Sequence, residues 1–342
     1  MLSSMLVVLE LDVADLAATR FAISPLSETT RAMLLLGRPN PAAVNLPWVR
    51  WARAKLARRP LRLPRAWPLI VNGLPCYPEF LVPAPAVRAP EFDDELAGVC
   101  ATPAEAMRAS LRRVFGDHPW PDSATELFER PQESLAEIAA ELAECHERLV
   151  RPHWERIRPV LEADIAYRAG LLADGGARSL FSDLHPDLRW SQGTLVINDT
   201  DEGPPGGRVM LGPDGVVLMP SVFNWPQVSY SKATSSQTML LYPARGTATV
   251  WEGDPGGVAA AGAVEELLGP ARARLLGALR SPATTSALAL RFGVTPSAVS
   301  QHLAVLHRGG LVDRQRSGRK VLYQASELGL ALLDRALLRS VS

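Results

Sequence analysis

The sequence predicts an α+β chain in two parts: a mainly helical N-terminal region that ends in a small antiparallel sheet, then a small basic module of helices and one β-hairpin. Three observations predict this. Apolar residues recur at three- and four-residue spacing through much of residues 1–187, as in helices packed along one face. Short apolar runs divided by Asn, Asp, Gly and Pro clusters fill residues 188–251, as in short strands. Basic and acidic residues, balanced over the whole chain, separate toward its C-terminal end.

The 342 residues, 47% hydrophobic and 21% charged, are enough for two or more domains with cores of their own. Formal net charge is zero, with 36 basic and 36 acidic residues. From Pro270 to Ser342, however, eleven Lys and Arg stand against three acids, a net +8 that leaves −8 on the rest of the chain. A basic module on an acidic body suits a polyanion, because neutralising phosphates releases counterions; a solvated basic face has the same composition, so charge alone does not decide. Cys76, Cys100 and Cys145 are odd in number and widely spaced, which reads as reduced thiols in a cytoplasmic protein. The apolar stretch Met5 to Leu11 has no basic flank before it and is too short to span a bilayer, so neither secretion nor a membrane anchor is expected.

Asp12 can cap a helix running through Phe21, and Pro25 suits the first turn of a helix from Leu26 to Leu36. Pro39 to Pro90 is Pro-rich, with a short basic amphipathic helix at Trp48 to Arg59; Trp48, Trp51, Trp67 and Phe80 make the segment packed rather than a free linker. Thr102, Pro103 and Glu105 form the pattern of a capping box opening a helix to Phe115. Glu133 to Val150 and Pro152 to Leu172 are long helical patterns. Strands are expected at Thr194–Ile197, Val216–Met219, Met239–Tyr242 and Thr247–Trp251. The division is therefore a body of residues 1–251, helical to 187 and strand-rich after it, a Gly- and Pro-bearing linker at 252–262, and a module at 263–342.

Within the module, Ala271 to Leu279 and Thr284 to Phe292 are helical, and Gly293 ends the second. Thr295 caps a third helix that carries Pro296 in its first turn and runs to Arg308, where Gly309 and Gly310 stop it. Helix, tight turn and helix make a helix-turn-helix. Val299, Leu303 and Leu306 fall on one stripe and pack inward, while Ser297, Ser300, Gln301, Ala304 and Arg308 project elsewhere, a small polar face fit for the major groove of double-stranded DNA. Leu311–Arg316 and Arg319–Ala325 form a hairpin turning at Ser317-Gly318, a wing whose Arg314, Arg316, Arg319 and Lys320 would meet phosphates or the minor groove. A Leu-rich helix, Glu327 to Leu338, closes the chain.

The ordered set Thr295-Pro296-Ser297-Ala298-Val299-Ser300-Gln301-His302-Leu303-Ala304-Val305-Leu306, Gly310-Leu311-Val312, Arg316-Ser317-Gly318-Arg319 and Tyr323 resembles the ArsR/SmtB-type winged helix-turn-helix repressors over about the last 70 residues. The resemblance implies a homodimeric transcriptional regulator, with Ser297, Ser300 and Gln301 at the DNA. It also implies a dimer interface built from Leu275, Leu279, Leu328, Leu332 and Leu337. The body is similar to the amino-terminal region of a longer branch of such regulators, and no function comes with that similarity. Where family members carry metal ligands, this chain has Ala287-Leu288-Ala289-Leu290 and a last helix without His, so neither metal nor cofactor is expected.

Other groupings are weaker. Cys145, His146 and His153, near Glu141 and Glu144, could share a helical face, but Pro152 interrupts the register and no CxxC or HxxxH spacing is present. His185-Pro186-Asp187 reads as a turn, and the aromatics of Ser221–Tyr230 as core or pocket wall. No nucleophile elbow, phosphate loop, dinucleotide fingerprint or HExxH occurs, so an enzyme is not expected. Three readings of the body stay open: a domain sensing a small-molecule effector, a passive dimerisation or docking platform, and an enzyme with scattered catalytic residues.

Overall fold

A computed structural model describes residues 7–39, 41–197, 207–210, 215–231, 237–251, 264, 267–279, 283–292, 294–317, 320–326 and 328–333. It divides into two compact units, Met1–Val250 and Trp251–Ser342. The expected linker, residues 252–262, lies outside the described residues.

The first unit opens with β1 (Val7–Glu10), α1 (Val13–Ala18), β2 (Arg20–Phe21) and α2 (Pro25–Gly37). Asp12 caps α1 by a reciprocal capping box with Asp15, but the helix ends at Ala18 rather than Phe21. The cause is tertiary: Arg20 and Phe21 extend to pair in parallel with Val217 and Leu218. Next come α3 (Leu46–Arg58), α4 (Ala66–Ile70), α5 (Phe92–Cys100), α6 (Ala104–Phe115), α7 (Asp122–Glu129) and α8 (Pro131–Cys145). The expected capping box of α6 does not form. Pro103 is itself the extended N-cap, and Glu105 pairs with Arg108 at 2.7 Å instead. After α8 the chain makes a π turn (His146–Val150) and a 3-10 turn (Arg151–His153) around Pro152, then enters α9 (Trp154–Leu184). This last helix runs twelve residues beyond the expected Leu172, across a break at Gly176, where φ is +66°.

Among the described residues of this unit, eight strands make two sheets. β3 (Leu188–Ser191), β4 (Thr194–Ile197), β1 and β5 (Gly207–Met210) form one, in the order β3-β4-β1-β5. β2, β6 (Val216–Ser221), β7 (Ser229–Ser231) and β8 (Thr238–Pro243) form the other, in the order β2-β6-β8-β7. Both sheets are mixed: β3 with β4, β4 with β1 and β8 with β7 pair antiparallel, while β1 with β5, β2 with β6 and β6 with β8 pair in parallel. Thr247–Trp251, expected as a strand, instead begins a short helix, α10 (Thr247–Val250). Gly246, at φ +79°, turns the chain there, and the hydroxyls of Thr247 and Thr249 donate to the carbonyls of Ala244 and Gly246.

Strand periodicity explains how these layers stack. Val216 and Leu218 point to a core shared with Val7, Leu9, Leu195, Ile197 and the end of α9, Leu180, Phe181 and Leu184. Val217 and Met219 point the other way, into a cluster with Ala22, Met239 and Leu241. Both faces are covered, as expected of strands with parallel neighbours. Arg168 ties the two halves of α9 across the Gly176 break, contacting Asp164 at 3.0 Å and Asp183 at 3.2 Å while lying over the Tyr242 ring. α2 is buried along most of its length, polar residues included. Its Glu28 accepts from the Val222 amide at 3.1 Å, and Arg31 donates to the Ser229 hydroxyl at 3.2 Å.

The second unit contains α11 (Pro270–Ala278), β9 (Ala283–Thr284), α12 (Thr285–Phe292), α13 (Pro296–Arg308), β10 (Val312–Ser317) and β11 (Lys320–Ala325), and residues 328–333 are helical. β9, not foreseen as a strand, pairs with β11 and completes a three-stranded sheet in the order β10-β11-β9. Leu275, Leu276, Leu279, Leu288, Val299, Leu303 and Leu306 fill one core beneath it.

Burial pushes the Glu28 carboxyl up to about 7, against hydrogen bonds from Ser221 and Val222 that favour the ion. The folded unit therefore holds a proton that the unfolded chain releases near its ordinary carboxyl value. The group's stabilisation is complete below that value and is lost as pH rises to about 7. Glu28→Gln should accordingly become more stable relative to the parent as pH increases from 4.5 to about 7, with no further relative gain above it, in urea melts across that range.

Candidate nucleic-acid interface

The site is built on α13. Thr295, in extended conformation, accepts from the Ala298 amide at 3.3 Å, and Pro296 supplies the fixed φ of a first helical turn. At the other end Gly309 caps the helix and Gly310, at φ +68°, reverses the chain. Val299, Leu303 and Leu306 are buried at 1% exposure or less. Their stripe fixes the rotation of the helix, so Ser297, Ser300, Gln301, Ala304 and Arg308 are all exposed, along with Thr295. The exposed row is short, neutral and hydrogen-bonding at its N-terminal end and cationic at its C-terminal end. It can approach base edges through Ser297, Ser300 and Gln301 without steric bulk, and a phosphate through Arg308.

α12 sets the approach of α13. Thr284 accepts from the Ala287 amide at 3.2 Å at its start, and the Val294 amide bonds back to the Ala289 carbonyl at 3.1 Å at its end. Gly293, expected as the stop, lies outside the described residues. His302 is half-buried, and His307 is committed to the Val312 carbonyl, 2.7 Å from its Nδ1, which joins α13 to the hairpin.

The hairpin register pairs Val312 with Ala325 and Ser317 with Lys320. Ser317, expected in the turn, is therefore a strand residue. Arg314 is exposed on β10, and Arg316 and Lys320 occupy strand positions toward the tip. Gly318 and Arg319 lie outside the described residues. The wing is anchored at its base by Ala325, whose amide donates to the Leu279 carbonyl at 2.7 Å, and by Ser326, whose amide donates to Leu311 at 3.0 Å.

The expected dimer residues separate. Leu275 and Leu279, 4% and 0% exposed, fill the unit's own core and have no surface to offer a second copy. The repeat of leucines in a short amphipathic helix reads the same whether it faces its own core or a partner. Leu332 packs partly on the same core, Leu328 is 59% exposed, and Leu337 lies outside the described residues. Arg274, counted in the basic excess, lies over the Phe292 ring at 5.3 Å.

Elsewhere, the Cys145, His146 and His153 grouping is spread over different environments. Burial pushes the Cys145 thiol up to about 12 and the His146 imidazole down to about 4. His146 stacks on Phe92 at 3.9 Å and hydrogen-bonds Thr29 at 2.9 Å, while His153 meets Trp51 edge-on at 4.3 Å. His185 and Asp187 form the expected turn, with His185 Nε2 2.7 Å from the Pro226 carbonyl. Phe223 and Tyr230 are core residues, and Trp225 is 36% exposed. Among the described residues no helix is long and apolar enough to cross a membrane.

Because Thr295 holds the first turn of α13 in place, Thr295→Ala should cost about 0.5–2 kcal/mol, and Thr295→Ser should recover most of it. Chemical denaturation together with amide exchange at Ser297 and Ala298 checks both.

Residues 267–315 match a helix-turn-helix domain family, spanning α11 to α13 and entering β10. Residues 102–248 match a family of unknown function (DUF5937), which covers the body from α6 into α10. No curated protein and no solved structure matches the chain. The chain thus carries a C-terminal helix-turn-helix domain of the kind found in DNA-binding transcription regulators, preceded by a region that matches a family of unknown function.

Proposed function

We propose that this protein is a cytoplasmic homodimeric transcriptional repressor of the ArsR/SmtB type, which reads the major groove with α13 and the adjacent backbone with the wing. The observation that carries the reading is the exposed face of α13. A capped helix presents Ser297, Ser300 and Gln301 at one end and Arg308 at the other, in a segment of net charge +8. Dimer symmetry would place two such helices about one DNA turn apart, roughly 34 Å, on a pseudo-palindromic operator. Leu267 and Leu328, 67% and 59% exposed beside α11 and in the closing helix, are the apolar side chains that support a contact with a second copy there. The body, acidic and far longer than a tether requires, is read as the part that adjusts DNA affinity to a non-metal signal.

Selection of binding sites from random duplex DNA tests the reading directly, and a palindromic consensus is expected. Gln301→Ala should relax preference at one base pair of each half-site by about 1–3 kcal/mol, since an amide can pair bidentately with adenine. Arg314→Ala should weaken all sequences alike and flatten the salt dependence by about one ion. A wing variant that altered the consensus, beside a Gln301 variant that did not, would reverse the proposed docking.

Removing residues 1–251 addresses the body. Operator affinity or its salt sensitivity should change, whereas chelators and added zinc should leave the full chain unaffected. Identical curves for the full chain and the head, with and without metabolite extract, would reduce the body to a passive platform.

A further inference from the structure

The first unit contains a cavity of about 390 Å³ between β2, the segment at residues 86–88 and the middle of α9. We propose that it binds a small organic carboxylate with an apolar body. The inference gives a ligand class to the sensing role proposed above and rests on that role only for its effect on DNA.

Two arginines supply the charge. Arg20 is fixed by its neighbours: its Nε and Nη2 donate to the Gln237 side-chain oxygen at 3.2 and 2.6 Å, and Nη2 also donates to the Pro85 carbonyl. Its Nη1 is buried and has no hydrogen-bond partner among the described residues. Among the described residues this guanidinium is held by neutral acceptors alone, so its positive charge is left for an anion to offset. Arg88 lines the same cavity, its backbone held because the Ile23 amide donates to its carbonyl at 2.8 Å, and its side chain is exposed. No carboxylate lines the cavity among the described residues. The site therefore presents two cations on backbone that is already in place, and the Pro85 and Ile23 bonds hold the 85–88 segment along the strand.

The remaining wall is apolar, from Phe21, Val87, Ile165, Ala166 and Ala169. Ala166 and Ala169, three apart, share one face of α9, and their missing bulk leaves the space open. Val87 is 57% exposed, so an apolar ligand would cover surface that now faces water. The volume is near the lower end of ligand pockets, about 300–1,000 Å³, and fits one acidic group on a single ring system or short chain.

Titration calorimetry on the full chain tests this with 1-naphthoate, benzoate and octanoate, and with neutral 1-naphthamide as the control. At least one acid is expected to bind saturably below about 1 mM, and 1-naphthamide at least roughly tenfold more weakly than 1-naphthoate. Arg88→Ala should weaken the acid roughly tenfold while leaving thermal unfolding unchanged, because among the described residues only its carbonyl bonds the fold. Ala169→Trp should abolish binding by filling the space. Absence of saturable binding for all three acids, or binding indifferent to charge or to both substitutions, overturns the inference. An acid that binds here without changing affinity for selected DNA leaves the site standing and overturns the sensing role instead.

Discussion

Burial of three side chains, Val299, Leu303 and Leu306, governs what the C-terminal unit can offer a partner. Each is worth about 1.5–3 kcal/mol when removed from water, enough together to fix the helix in one rotation against α11 and α12. Once that stripe is inside, the identity of the outward face is forced. It could not present Gln301 and Ser300 and also expose the leucines. The hairpin follows from the same core, since Val312 and Ala325 close it beneath the wing and Leu279 receives the Ala325 amide.

The body solves a different problem, because it buries polar groups as well as apolar ones. α2 lies under cover with Glu28, Thr29, Thr30 and Arg31 inside, and each of these needs partners that water would otherwise supply. Strand ends and turns provide them: Val222, Ser229 and His146 all meet α2 side chains. Arg168 does the same for α9, whose Gly176 break would leave two loosely related helices without the shared ion pairs to Asp164 and Asp183. Such networks are costly to break, so they tend to hold one arrangement rather than add much stability. A body organised around them is suited to keeping a preformed cavity, such as the one between β2 and α9, in shape.

The two units also differ in what their charges do. In the body many charges are internal or paired, as at Arg65 with Glu137 and Arg158 with Glu162. In the C-terminal unit Arg308 and Arg314 are exposed, and acids are too scarce there to neutralise the basic residues. An excess of one sign on a small unit produces a field that reaches about a Debye length, roughly 8 Å in physiological salt, and draws in a polyanion before any base contact is made.

The sequence alone determined those features whose causes lie within a few residues. The caps at Asp12 and Thr295, the proline in the first turn of α13, the stripe on that helix and the paired hairpin strands are all local patterns, and the exposed face followed from helical period alone. Only the tertiary structure decided where local preference met a distant partner. Arg20 and Phe21 left a helix to pair with Val217 and Leu218, and Ala283 and Thr284 became a strand because β11 had a free edge beside them. Leu275 and Leu279 faced inward because the unit's own core needed filling, and Arg20 and Arg88 came to one cavity through chain folding rather than spacing. The physical reason is common to these cases: helix caps and periodicity are written in neighbouring residues, whereas strand pairing and burial are settled by whichever surfaces compete for the same space.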